Sequence, residues 1–74
     1  MPMELDTQFD RWLRAHGVRS ARLARKAKLS RPTVLRMRKG SLGSARTRAN
    51  LVAACSSLVR RRVKESELFG IEGP

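Results

Sequence analysis

The stretch KLSRPTVLRMRKG, Lys28 to Gly40, decides how the whole chain is read. Ser30 is a preferred N-cap residue, because its hydroxyl accepts a hydrogen bond from an amide of the first turn. Pro32 falls inside that turn, where amides have no intrahelical partner and a missing N–H costs nothing. Gly40 stands where a helix ends most easily. A short helix over residues 31–39 is therefore predicted, with Val34 and Met37 on one side and Leu29 just outside the cap. Pro32, Leu35, Arg36 and Lys39 cluster on the other side. Arg31 and Arg38 lie on the flank nearer the core, with stems long enough to snorkel outward. So much charge on so short a helix calls for an anionic partner.

The rest of the chain repeats that demand. Among 74 residues, 17 Lys and Arg stand against six Asp and Glu, a formal net charge of +11. Every residue between Arg11 and Lys64 is either basic or uncharged; Glu4, Asp6, Asp10, Glu65, Glu67 and Glu72 are confined to the ends. A solubility device intersperses the two signs, whereas a field of one sign implies a polyanionic partner. The length fits one small domain spanning residues 1–74, with a core over about 7–70. A single cysteine, Cys55, forms no internal disulfide and fits a reducing, cytoplasmic setting. No apolar run approaches a membrane span, and the acidic start MPMELDTQFD argues against a secretory signal.

Periodicity places the other elements, all of them helical. A first helix over about residues 6–15 carries Leu5, Phe9, Trp12 and Leu13 as one apolar stripe, opened by Thr7 with Asp10 three residues on in the manner of a capping box. Gly17 ends it, with His16 as a surface or capping residue. A second helix over residues 20–28 groups Leu23, Ala24 and Ala27 against Arg22, Arg25 and Lys26. A fourth begins between Ser44 and Thr47 and runs to about Val59, with Leu51, Cys55 and Leu58 on one face. The segment KESELFGI adds a short turn whose Leu68 and Phe69 close the core. The alternation of strands is missing. The expected fold is all-α: a compact four- to five-helix domain with a helix-turn-helix formed by helices 2 and 3.

A short helix with a basic outer face, held by a second across a tight turn, suits the DNA major groove, since a helix of about 10–12 Å enters a groove about 12 Å wide. The stretch VRSARLARKAKLSRPTVLRMRKG, Val18 to Gly40, also resembles the Cro/C1-type helix-turn-helix of phage repressors. Leu23-Ala24 fits that family's Leu-Ala pair, Leu29-Ser30 its hydrophobic-Ser/Thr step, Val34 and Met37 its buried positions, and Gly40 its closing glycine. Leu51, Ala54, Leu58 and the run from Val63 to Leu68-Phe69 resemble its trailing elements. Three positions depart from the pattern. Lys28 stands where the family has a turn glycine, Arg19-Ser20 where it has a polar cap and glutamine, and Arg38 where it has an acidic residue, so that residue's salt bridge is expected to be lost.

Carried over by position, the resemblance implies base contacts from Ser20, Arg31, Pro32 and Arg36, to which exposure adds Leu35. Arg36 is the strongest candidate, because a guanidinium grips guanine O6 and N7 through two hydrogen bonds. Arg19, Arg22, Arg25, Lys39 and Ser41 are placed for the phosphate backbone, with Arg46 and Arg48 reaching it from the fourth helix. Such contacts set register rather than sequence preference. Proteins of this kind pair across two half-sites, so a homodimer on DNA is expected, its surface drawn from the end of the fourth helix and the Val63–Ile71 tail.

No enzyme is expected. One histidine and one cysteine do not make a metal site, a nucleophile needs a neighbouring base and orienting group, and Gly40-Ser-Leu-Gly43 lacks a phosphate-loop context. No metal, cofactor or small-molecule ligand is implied. The function expected is a sequence-specific regulator of transcription that occupies double-stranded operator DNA, most simply as a repressor. The alternatives are an architectural or recombination-accessory DNA protein, and a protein-partner module such as an antitoxin or antirepressor.

Overall fold

In a computed structural model the chain is described from Thr7 to Gly70. Leu5, Asp6 and Ile71, which the sequence reading placed in the first helix and the tail, lie outside the described residues. Within them the fold is all-α: α1 (Gln8–Ala15), α2 (Ser20–Ala27), α3 (Arg31–Arg38), α4 (Ala45–Val59) and α5 (Glu65–Phe69).

Hydroxyl caps start three of the helices. The side chains of Thr7, Ser30 and Ser44 accept from the amides of Asp10 at 3.0 Å, Thr33 at 3.3 Å and Thr47 at 3.1 Å. Each satisfies one of the otherwise orphaned first-turn donors, an effect worth about 1 kcal/mol. Of the expected box the Thr7 half is formed, and the Asp10 carboxylate is turned to Arg14 and Arg38.

Phe9, Trp12 and Leu13 from α1 meet Leu23, Ala24 and Ala27 from α2, Val34 and Met37 from α3, Leu51, Ala54 and Cys55 from α4, and Leu68 from α5. Val34 is fully buried and Met37 nearly so. Burying side chains of that size stabilises by about 1.5–3 kcal/mol each, which is what fixes α3 against its neighbours. Of the tail expected to offer a dimer surface, the described apolar residues Val63, Leu68 and Phe69 go to the chain's own core. Val63 and Leu68 are buried, and the ring of Phe69 lies 4.9 Å from that of Phe9.

Three residues, Lys28 to Ser30, join α2 to α3. Lys28 takes the left-handed conformation, φ 60° and ψ 43°, at the position where the resemblance has a turn glycine. A side chain with a Cβ is strained there by about 1–2 kcal/mol, whereas glycine is not. Lys28→Gly is therefore expected to raise the unfolding free energy by up to about 1 kcal/mol after glycine's own entropic cost, read as a higher midpoint in urea. Loss of stability on that substitution would contradict the turn geometry. Gly43 is required for a different reason as well: at φ +56° a Cβ would meet the sulfur of Met37 at 2.9 Å.

Candidate nucleic-acid interface

With Val34 and Met37 turned inward, the opposite side of α3 is left open. Arg31, Pro32, Leu35, Arg36 and Lys39 are all exposed. Leu35 is 39% exposed, an apolar side chain standing among cations rather than in the core. Arg36 is steadied along its own helix by a 3.4 Å hydrogen bond from Nη2 to the Thr33 hydroxyl, which is in turn within 2.8 Å of the Ser30 capping oxygen. The C-terminal end of α3 is closed by the amides of Gly40 and Ser41, which donate to the carbonyls of Met37 and Arg36 at 3.2 and 3.1 Å. That closure leaves Ser41 exposed beside the end of the open face.

The flanks are basic too. Arg19 occupies the N-cap position of α2 without a side-chain capping bond, so the first-turn amides there point at no hydroxyl or carboxylate of the cap and favour an anion. Arg22 and Arg25 are exposed on the outer side of α2, and Arg46 in the first turn of α4.

Ser20, Arg38 and Arg48 are placed differently from the rest. The Arg38 side chain points inward instead of snorkelling out. Its Nε and Nη2 meet the Asp10 carboxylate, which is 1% exposed, and its Nη1 donates to Ser20 Oγ at 2.7 Å. The Thr7 hydroxyl donates to the Arg38 carbonyl at 2.7 Å. In place of the salt bridge that an acidic residue at this position would make, Arg38 forms one of its own with the acid on α1. Ser20 is half-buried with its hydroxyl committed to this network. Arg48 is likewise engaged, through Nε to Glu65 at 2.8 Å and Nη1 to the carbonyls of Leu42 at 2.8 Å and Gly43 at 3.3 Å. It ties the α3–α4 loop and α5 to α4.

Glu67, in the middle of α5, accepts from the Trp12 indole at 2.8 Å and pairs with Arg61. The hydrogen bond from Arg61 first, then that from Trp12, pulls its carboxyl down from the ordinary 4.5 to about 2. His16 stacks on Trp12, ring centres 4.0 Å apart, and its Nδ1 lies 2.9 Å from the Trp12 carbonyl. All three described carboxylates are accordingly engaged: Asp10 with Arg14 and Arg38, Glu65 with Arg48, and Glu67 with Arg61. No described carboxylate pairs with the cations of the open face of α3.

Among the described residues no group of three His, Cys, Asp or Glu side chains could hold a metal ion. Cys55 is buried, and burial pushes its thiol up to about 12. No described helix is long and apolar enough to cross a membrane. Comparison with family models, curated proteins and solved structures finds no match to this chain. Its geometry alone gives the coarse statement: a compact helical bundle in which α2 and α3 pack across a tight turn, the shape of a helix-turn-helix.

Proposed function

We propose that this chain is a sequence-specific double-stranded DNA-binding regulator whose α3 enters the major groove, acting most simply as a repressor that occupies its site. One observation carries the reading: α3 is anchored by Val34 and Met37 while Arg31, Pro32, Leu35, Arg36 and Lys39 stand exposed on its other side. The resemblance of Val18–Gly40 to the Cro/C1-type motif points the same way. Arg36 and Arg31 supply donors for guanine, and Pro32 and Leu35 supply apolar contact for thymine methyls. Arg19, Arg22, Arg25, Lys39, Ser41 and Arg46 hold the phosphates. Ser20 and Arg48 are left out of the contact set, because each is held within the fold, Ser20 by Arg38 and Arg48 by Glu65.

One short helix specifies few base pairs, so we further propose that two copies bind two half-sites about 34–36 Å apart. The test is selection of bound duplexes from a random library. Palindromic sites of fixed spacing are the expected product. Binding without enrichment of any sequence would replace the regulator with an architectural protein. On the selected site, Arg36→Ala is expected to cost about 1–3 kcal/mol and to relax preference at one base pair. Arg25→Ala should weaken all sequences about equally, measured by titration against single-base variants. Equal, sequence-blind losses for both would remove Arg36 from base reading.

A further inference from the structure

A second basic surface lies away from α3. Between α2 and α4 runs an open hollow of about 520 Å³ bounded by Arg22, Arg25, Lys26, Lys28 and Leu58. It shares Lys26 and Lys28 with an adjoining hollow of about 300 Å³. There the lining continues through Ala27, Ala53 and Ala54, with Asn50 and Ser57 as its polar members. No residue of α3 lines either. From these we propose that the α2–α4 groove is a docking site for an acidic amphipathic helix of a partner protein.

Three features select that occupant. The wall carries four cations, three from α2 and Lys28 from the turn after it, and all three described carboxylates are engaged with other residues, so none of them neutralises this wall. The complement is a row of Asp or Glu. The lining from α4 combines an apolar strip, Ala53, Ala54 and Leu58, with the uncharged polar side chains of Asn50 and Ser57. A phosphate backbone has nothing apolar to lay on Leu58, whereas an amphipathic helix presents an apolar ridge at i, i+3, i+4 and i+7 with charges beside it. Finally, a groove between two helices offers a third helix the usual seat for such recognition. Opposite charges across the groove fix register and speed encounter.

The docking itself does not depend on DNA binding. A regulatory consequence rests on the DNA reading above. Arg22 and Arg25 belong both to this rim and to the proposed phosphate contacts, so an acidic helix seated here competes for part of the duplex footprint while leaving α3 uncovered. Binding of either partner then weakens the other by the same factor.

The test uses a synthetic peptide of about four helical turns, with leucine at i, i+3, i+4 and i+7 and glutamate on the flanks, against a scrambled peptide of equal composition. Each is titrated into the full chain at about 150 mM salt, where loose charge attraction is screened beyond about 8 Å, and amide resonances are followed. The expected result is that the patterned peptide shifts the amides of residues 26–28 and 53–58 and binds at least about tenfold more tightly than the scrambled one. Ala53→Trp, which fills the groove from an exposed position and removes no charge, should weaken the patterned peptide by a similar factor without lowering the thermal midpoint. Ser57→Gln serves the same purpose should the tryptophan variant lose its fold. Equal binding of the two peptides, unaltered binding by a folded groove-filled variant, or shifts centred on α3 would overturn the proposal. So would a random-sequence duplex that moves the groove amides as strongly as the peptide does; the site would then belong to nucleic acid.

Discussion

Arg38→Ala is expected to lower the stability of the domain by up to about 3–5 kcal/mol, the cost of breaking a buried ion pair, since only the mostly exposed Arg14 would remain beside Asp10. The partner left behind is Asp10, 1% exposed and facing Arg38 through its carboxylate. The loss does not stop there, because Nη1 of Arg38 also reaches Ser20 at the start of α2. One guanidinium thus joins α1, α2 and α3, and the Thr7 hydroxyl completes the link on the backbone of residue 38. Small domains hold a total of about 5–15 kcal/mol, so this single change removes a large part of it. With about 4–8 °C lost per kcal/mol in a domain of this size, the midpoint should drop by about 12–40 °C in a thermal scan. Asp10→Ala should be comparably damaging, since it leaves the mostly covered guanidinium without a counter-charge. Replacing both together, Asp10→Leu with Arg38→Met, should restore most of the loss, because a well-packed apolar pair is often as stable as the buried ions it replaces. A single Arg38→Ala variant within about 1 kcal/mol of the parent would show that the pair does not join the three helices.

Raising the salt from about 50 to about 200 mM is expected to reduce affinity for duplex DNA by about 10³ for each bound chain. The estimate follows from which cations are free to act. Arg19, Arg22, Arg25, Arg31, Arg36, Lys39 and Arg46 are exposed. Arg38 and Arg48 are omitted because Asp10 and Glu65 hold them. If about six of the exposed cations neutralise phosphates, log K falls against log salt with a slope of about −5 per chain. Removing one phosphate contact, as in Arg25→Ala, should reduce that slope by about 1. Anisotropy of a labelled duplex measures both. A slope near zero would mean that the positive charge is not the source of affinity.

The helices were legible because each announces itself locally. Thr7 and Ser30 marked the starts of α1 and α3 and Ser44 to Thr47 bracketed that of α4, the spacing of Phe9, Trp12 and Leu13 or of Val34 and Met37 marked the buried sides, and Gly40 stands just past the end of α3. The exposed set on α3 followed from the same periodicity. What periodicity missed were pairings between elements. Asp10 and Arg38 are 28 residues apart and Arg48 and Glu65 are 17 apart, and no rule internal to one helix connects them. A clue was present in the first case. Asp10 sits three residues before Leu13, on the apolar stripe of α1, and Arg38 sits four after Val34, on the inward side of α3. An acid and a base, each misplaced on a buried face, satisfy one another. The left-handed Arg60 that ends α4, φ 59°, carried no comparable signal, because arginine is as common in a helix as beyond it.

Placement of α3 in the groove is tested most directly by cleavage from a tethered iron chelate. Cys55 is buried with its thiol pushed up to about 12, so an added surface cysteine takes the label selectively. Lys39→Cys puts the chelate at the end of the open face of α3, and Ala53→Cys puts it on the far groove. On a selected duplex the label at residue 39 should cut both strands in a narrow cluster within the bound site, offset as expected for the major groove, while the label at residue 53 cuts weakly and diffusely. Strong, localised cleavage from residue 53 with little from residue 39 would place another face of the molecule against the DNA.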